Sequence, residues 1–219
     1  MLAAVIFDMD GVLIDSEPFW QRAQMAMFSE LGHPHTEEDC HSTIGVRIDQ
    51  LVAHWYRLRP WSGPSQEEVV QRILDRVIAL ILQEGEAKEG VLAALTLIEA
   101  QGLKIGLATS SPFNMVEAVL GKLGIKDRFL AVHSAEVERF GKPHPDVYIR
   151  AAEKLGVLPV HCLAIEDSFT GLLAAKAASM QALIVPDPAL VGDPRLAIAD
   201  HQLRSLAELD AATLANWIA

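Results

Sequence analysis

Four short polar clusters hold the residues of this chain that could do chemistry: Asp8-Met9-Asp10-Gly11, Thr109-Ser110-Ser111, Gly141-Lys142-Pro143-His144-Pro145 and Glu166-Asp167-Ser168. A carboxylate can attack an electrophile or help hold a hard cation. A second carboxylate two positions on can give and take a proton. Hydroxyls and backbone N–H groups at the start of a helix hold anionic oxygens. A lysine beside them offsets the charge that builds up during group transfer. Each cluster alone has a plainer reading. Ser and Thr after a strand usually cap the next helix, one loop lysine is usually a solvated charge, and a DxD pair is common by chance. What exceeds chance is that all four occur in order, each following an apolar run.

Those runs are the elements that must position the clusters. AAVIF (3–7), KIGLA (104–108), FLAV (129–132), CLAI (162–165) and ALIV (182–185) are short and apolar at nearly every position, as in strands buried on both faces. Helical patterns separate them at 91–100, 113–123, 146–155 and 170–178. Alternation of strand and helix predicts an α/β fold with a mostly parallel sheet, whose ligands bind at the carboxyl ends of the strands. The stretch 15–89 breaks that rhythm. It reads as helices at 17–31, 48–58 and 65–85, with Ser65 and Glu68 forming a capping box at the start of the last. The simplest organisation is an α/β core of residues 1–14 and 90–219, with a helical cap of residues 15–89 inserted after the first strand.

Composition narrows the function. The 219 residues carry a net charge of −11 and are 51% hydrophobic, which suits a globular protein with a substantial core. Such an acidic chain is not expected to bind nucleic acid or anionic membranes, although a local site can still be positive. Cys40 and Cys162 lie far apart and form no CxxC pair, so both are read as reduced thiols. No signal-peptide pattern precedes Asp8, and VIALIL (77–82) is too short to span a bilayer. A cytoplasmic monomer is the expectation.

DMDGVLIDSE, ATSS, GKPHPDVY and AIEDS together resemble the four motifs of the haloacid dehalogenase superfamily, in order and over nearly the whole chain. The helical insertion is similar to the small cap of its subfamily I, among sugar-phosphate phosphatases related to β-phosphoglucomutase. The stretch GVRIDQLVAHWYRLRPWSGPS resembles phosphatases of the hexitol and 2-deoxyglucose phosphate type. The resemblance implies a Rossmann-like fold and Mg²⁺-dependent hydrolysis of small sugar phosphates, with Mn²⁺ or another divalent ion as a substitute. It implies Asp8 as the nucleophile that forms an aspartyl-phosphate, and Asp10 as the general acid and base. Asp8, the backbone carbonyl of Asp10 and Asp167 would hold the metal, with Glu166 as a further or supporting ligand. Thr109, Ser110 and Lys142 would hold the phosphate, while Ser111 supports the loop. Gly45, Val46 and Arg47 would face the site from the cap, with Trp20, His54, Trp55, Trp61 and Asn114 as weaker candidates. Ile14–Glu17 and the region of Glu89 would be hinges. His33 and His35 read as exposed loop residues.

Rival readings share the fold. A mutase must bind a second phosphate; here position 20 is Trp and the arginine of GVRID stands one place earlier than in the mutases. A phosphonatase needs a cap lysine, yet none occurs between Gly11 and Ala87. Dehalogenases lack the second aspartate, which is present as Asp10. A dinucleotide enzyme would show GxGxxG where this chain reads DMDGVL. A phosphoglycolate-type phosphatase and a non-catalytic phosphosugar-binding module remain as alternatives.

Overall fold

The computed structural model describes residues 1–43 and 45–218, the side chain of Ile218 excepted. β1 (Ala4–Phe7) lies inside a six-stranded sheet with β2 (Lys104–Thr109), β3 (Ala131–Ser134), β4 (Cys162–Glu166), β5 (Gln181–Ile184) and β6 (His201–Gln202). Their order is β3-β2-β1-β4-β5-β6, and every pairing is parallel. Successive strand side chains point to opposite faces, so the sheet divides the core in two. Val5, Phe7, Ile105, Leu107, Leu163 and Ile165 pack on one face with α5 (Val91–Ala100) and α6 (Phe113–Leu123). Ala4, Ile6, Ala108, Ala164 and Ile184 pack on the other with α7 (Asp146–Leu155) and α8 (Phe169–Ala177). With both faces covered, polar side chains are left to the strand ends.

Between β1 and α5, which leads into the neighbouring β2, the chain runs through an all-helical insertion: α1 (Glu17–Glu30), α2 (Glu37–His41), α3 (Ile48–Leu58) and α4 (Gln66–Glu84). Ser65 and Glu68 form the expected reciprocal cap on α4. Val69, Ile73, Leu74, Val77 and Ile81 line one stripe of that helix and are buried. α4 packs on α1 and α3, and also on α6 of the sheet layer. The two connections to the insertion lie side by side: Ile14 bridges Ala87, and Lys88 N–H donates to the Leu13 carbonyl at 3.0 Å.

Several sequence expectations shift. β3 starts at Ala131 rather than Phe129, because Gly106 of β2 pairs with Ala131 and leaves Leu130 largely exposed. β6 was not expected; two residues carry no periodic pattern. α2 and a terminal helix α9 (Ala211–Ile218) also add to the predicted set. His35 is not an exposed loop residue. It is 5% exposed, stacked on Phe28 with ring centroids 3.7 Å apart, and His33 is half-buried.

Candidate active site

Asp8 follows β1 directly, and its backbone N–H donates to the Ile165 carbonyl of β4 at 2.9 Å. That bond fixes Asp8 where the chain order reverses, between strands running to either side. Glu166 ends β4 and Asp167 follows it. Carboxylate oxygens of Asp8, Glu166 and Asp167 come within 4.8 Å of one another, and all three residues are buried. Lys142, from the loop before α7, is 8% exposed. Its Nζ lies 2.6 Å from Glu166 Oε1 and 2.9 Å from Asp8 Oδ1. The contact with Asp8 is an ion pair, and Asp8 Oδ1 has no aligned hydrogen-bond donor among the described residues.

Three buried carboxylates around one ammonium leave excess negative charge. Burial, and then the charge of Glu166, push Asp8 up to about 8 against the pull of Lys142. Burial, then Glu166 and Asp8, raise Asp167 well above the carboxylate range. For Lys142, burial alone would lower the ammonium, but Asp8 and Glu166 outweigh it and hold it above the usual lysine range.

Glu166 is saturated with donors. Oε1 accepts from Lys142 Nζ at 2.6 Å and from Tyr148 Oη at 2.5 Å; Oε2 accepts from Asp167 N and Ser168 Oγ, both at 3.2 Å. This carboxylate therefore holds Lys142 in place and has little lone-pair capacity left for a cation. Two glycines make the packing feasible. At Gly11 (φ +72°) an added Cβ would fall 1.8 Å from Asp167 Oδ2. At Gly171 it would fall 2.0 Å from Glu166 Oε1.

Asp10 sits apart from this cluster in a cradle of its own. Ser16 Oγ donates to Oδ1 at 2.5 Å, Trp20 Nε1 donates to Oδ1 at 3.3 Å, and Ser111 Oγ donates to Oδ2 at 2.7 Å. Both serine hydroxyls can rotate to accept instead, so the cradle fits the carboxylate with or without its proton. Ser111 therefore does more than support its loop. Thr109, at the end of β2, accepts from Ser111 N–H through Oγ1 at 3.0 Å. Ser110 Oγ is buried with no partner among the described residues.

Asp8, Asp10, Thr109, Ser110, Lys142 and Asp167 all line one cavity of about 80 Å³. α1 and the loop before α3 close the cavity from the insertion side. Glu17, Trp20, Gln24, Gly45, Val46 and Arg47 reach it. Burial pushes the Glu17 carboxyl up to about 7, against a hydrogen bond from Gln21. Gly45 lies against the β4–α8 turn, where an added methyl would come within 3.0 Å of Thr170 Oγ1.

Arg47 borders the cavity, but its guanidinium is committed elsewhere. Nη1 donates to the carbonyls of Ala135 and Glu138, both at 2.9 Å, while Nε and Nη2 pair with Asp49. It bridges insertion and sheet layer through these bonds, while still lining the cavity on the side where it was expected. Trp55 and Trp61 are buried in the insertion's core. His54 packs edge-on against Trp55, and Asn114 is exposed and accepts from Met115 N–H; neither borders the cavity.

Sequence reasoning missed Ser16, Tyr148, Gln24 and Asp187. Tyr148 sits in GKPHPDVY, three residues after Pro145, so its place on the buried face of α7 was the available signal. The oxygens of Asp8 and Asp167, with Glu166 behind them, form a hard, anionic, pre-packed donor set of the kind Mg²⁺ takes. These residues fit such an ion.

Comparison with known proteins places this geometry. Residues 2–179 match the family model described as haloacid dehalogenase-like hydrolase. The chain is 46% identical over 214 residues to hexitol phosphatase B of Escherichia coli K12, covering 97% of this chain and 96% of that protein. CbbY from Rhodobacter sphaeroides, solved in complex with phosphate, superposes with a TM-score of 0.88 at 25% identity, covering 95% of this chain and 96% of that one. β-Phosphoglucomutase from Clostridium difficile superposes with a TM-score of 0.85 at 24% identity over 99% of this chain and 96% of that one, a likeness of fold.

Proposed function

Since the chain belongs to the haloacid dehalogenase-like hydrolases, we propose that it is a phosphoric monoester hydrolase acting on small sugar or sugar-alcohol phosphates through an aspartyl-phosphate. The carrying observation is the convergence of Asp8, Lys142 and Asp167, buried together at the ends of β1 and β4 in one cavity with Ser110 and Asp10. Similarity to a hexitol phosphatase over nearly the full length supports the substrate class.

In this reading Asp8 attacks phosphorus. Lys142, held by Glu166 and Tyr148, offsets the charge shared between Asp8 and the transferring group. Thr109 and Ser110 hold phosphate oxygens through hydroxyl and N–H groups, the free Oγ of Ser110 being one donor. Asp10 protonates the departing sugar oxygen and then takes a proton from the water that attacks the aspartyl-phosphate at phosphorus. Mg²⁺, bound by Asp8, Asp167 and the Asp10 carbonyl, would screen the two meeting anions. The insertion, residues 15–89, acts as the cap that excludes other water.

The test is phosphate release from a hexitol 6-phosphate, with Mg²⁺ and with a chelator, for the wild type and Asp10→Asn. Release that needs Mg²⁺ and falls about 10²–10⁴-fold in the variant is expected. Metal-independent release, or near-normal turnover by the variant, overturns the mechanism. Binding without release would identify a phosphosugar-binding module instead.

A further inference from the structure

Gln24 is a polar side chain where the fold gives it no partner. It lies on α1 among the buried residues Phe19, Ala23, Met27 and Phe28, is 4% exposed, and its Oε1 has no hydrogen-bond donor among the described residues. A buried amide oxygen without a donor is destabilising, because it gives up its hydrogen bond to water and gains none in return. A leucine or methionine there would avoid that cost and fill similar volume. The residue is not remote from the site, because Gln24 lines the cavity that holds Asp8 and Asp10, as Ser110 does, whose Oγ is likewise buried without a partner among the described residues.

Its position defines what it can meet. Glu17, Trp20 and Gln24 recur at helical spacing and form one stripe of α1 facing the cavity. Trp20 touches Asp10 through Nε1. Gln24 stands one turn further along, about 6 Å on the helix axis at ~1.5 Å per residue. Cys40, Thr43 and Leu51 line the same cavity, and the Thr43 hydroxyl already donates to the Cys40 carbonyl. An acceptor in this cavity with no donor among the described residues is satisfied by a hydroxyl of the ligand.

We infer that Gln24 is a specificity-determining residue that accepts a hydrogen bond from a hydroxyl of the substrate remote from its phosphate ester. This rests on the sugar-phosphatase reading above and sharpens it. The preferred ester is one whose alcohol is long enough to carry a hydroxyl about one helical turn beyond Asp10. A three-carbon phosphate leaves Gln24 unpaired; a six-carbon polyol phosphate satisfies it.

The experiment compares kcat/KM for a hexitol 6-phosphate with that for glycerol 3-phosphate, in the wild type, Gln24→Met and Gln24→Glu. Gln24→Met keeps the volume and removes the acceptor; the hexitol-to-glycerol ratio is expected to fall about tenfold, mainly through KM for the hexitol ester. Gln24→Glu keeps an acceptor and should hold the ratio within about threefold of wild type. Thermal unfolding confirms that each variant is folded. An unchanged ratio in a folded Gln24→Met protein overturns the inference while the phosphatase reading stands. If the wild type hydrolyses neither ester, the phosphatase reading itself fails.

Discussion

Asp8 and Asp10 are two positions apart, yet the fold gives them different surroundings. Asp8 faces buried carboxylates and one lysine, so burial and Glu166 raise it to about 8. Asp10 faces two hydroxyls and an indole N–H. Met9 between them is fully buried in the core, which directs its neighbours to the other side. DMDG and AIEDS were legible because polar residues abruptly end apolar runs. The cradle of Asp10 was not, because Ser111 lies 101 positions away and no local pattern links the two. His35 shows the opposite failure. Flanked by Pro34 and polar residues it reads as loop, yet it is wedged beside Phe28 and Trp55, with neither ring nitrogen partnered among the described residues. Burial lowers it to about 4, against an ordinary 6.5. The unfolded chain therefore takes up the proton first as pH falls. The stability that neutral His35 confers is complete above about pH 6.5 and is lost as the pH drops toward 4. Urea unfolding at pH 7 and pH 5 should show His35→Phe losing on the order of 1–2 kcal/mol less than wild type. Equal losses would contradict this.

Among the elements, the insertion was the most visible and its attachment the least. The Ser65–Glu68 box and the stripe from Val69 to Ile81 mark α4 from sequence because both are local. The α2 cap, Thr36 with Asp39, is equally local but heads a helix of five residues, too short for a periodic signal. Strand ends depended on partners: β3 begins where Gly106 meets Ala131, which no run of apolar letters reveals. Arg47 makes the same point. The resemblance of its loop to a cap specificity loop implied a place facing the site, but not the carbonyls it binds, which lie 88 and 91 positions on, in the loop after β3. Arg47 is the polar tie between the loop before α3 and the sheet layer, so Arg47→Ala should loosen closure over the cavity. The expected result is a fall of about tenfold in kcat/KM with unfolding temperature little changed, as two hydrogen bonds from a charged donor are lost only in the closed form. Unaltered kinetics would show that the tie is dispensable. Lysine at 47 should not rescue, since it cannot span two carbonyls and Asp49 together.

For the molecule as a whole, the parallel sheet does the positioning. Asp8 comes from β1, Ser110 from beyond β2, Lys142 from the loop before α7, and Asp167 from beyond β4, while the insertion supplies the opposite wall. The order of strands brings these ends together. Sequence order alone predicted an α/β sheet but not the flanking of β1 by β2 and β4, which is what puts Asp8 at the reversal. No described helix is long and apolar enough to cross a membrane. The net charge of −11 contrasts with a site that must accept an anion. Lys142 and the hydroxyl of Ser110, which has no partner among the described residues, are the local remedy, and on the proposed function a divalent ion held by Asp8 and Asp167 would add to them.

The central claim is that phosphate passes through Asp8. Acid quenching during turnover of a hexitol 6-phosphate carrying radiolabelled phosphate, followed by proteolysis, tests it directly. The expected result is hydroxylamine-labile label on the peptide containing Asp8, absent in Asp8→Asn. Full turnover with no label on the protein, or label on a different peptide, would contradict it.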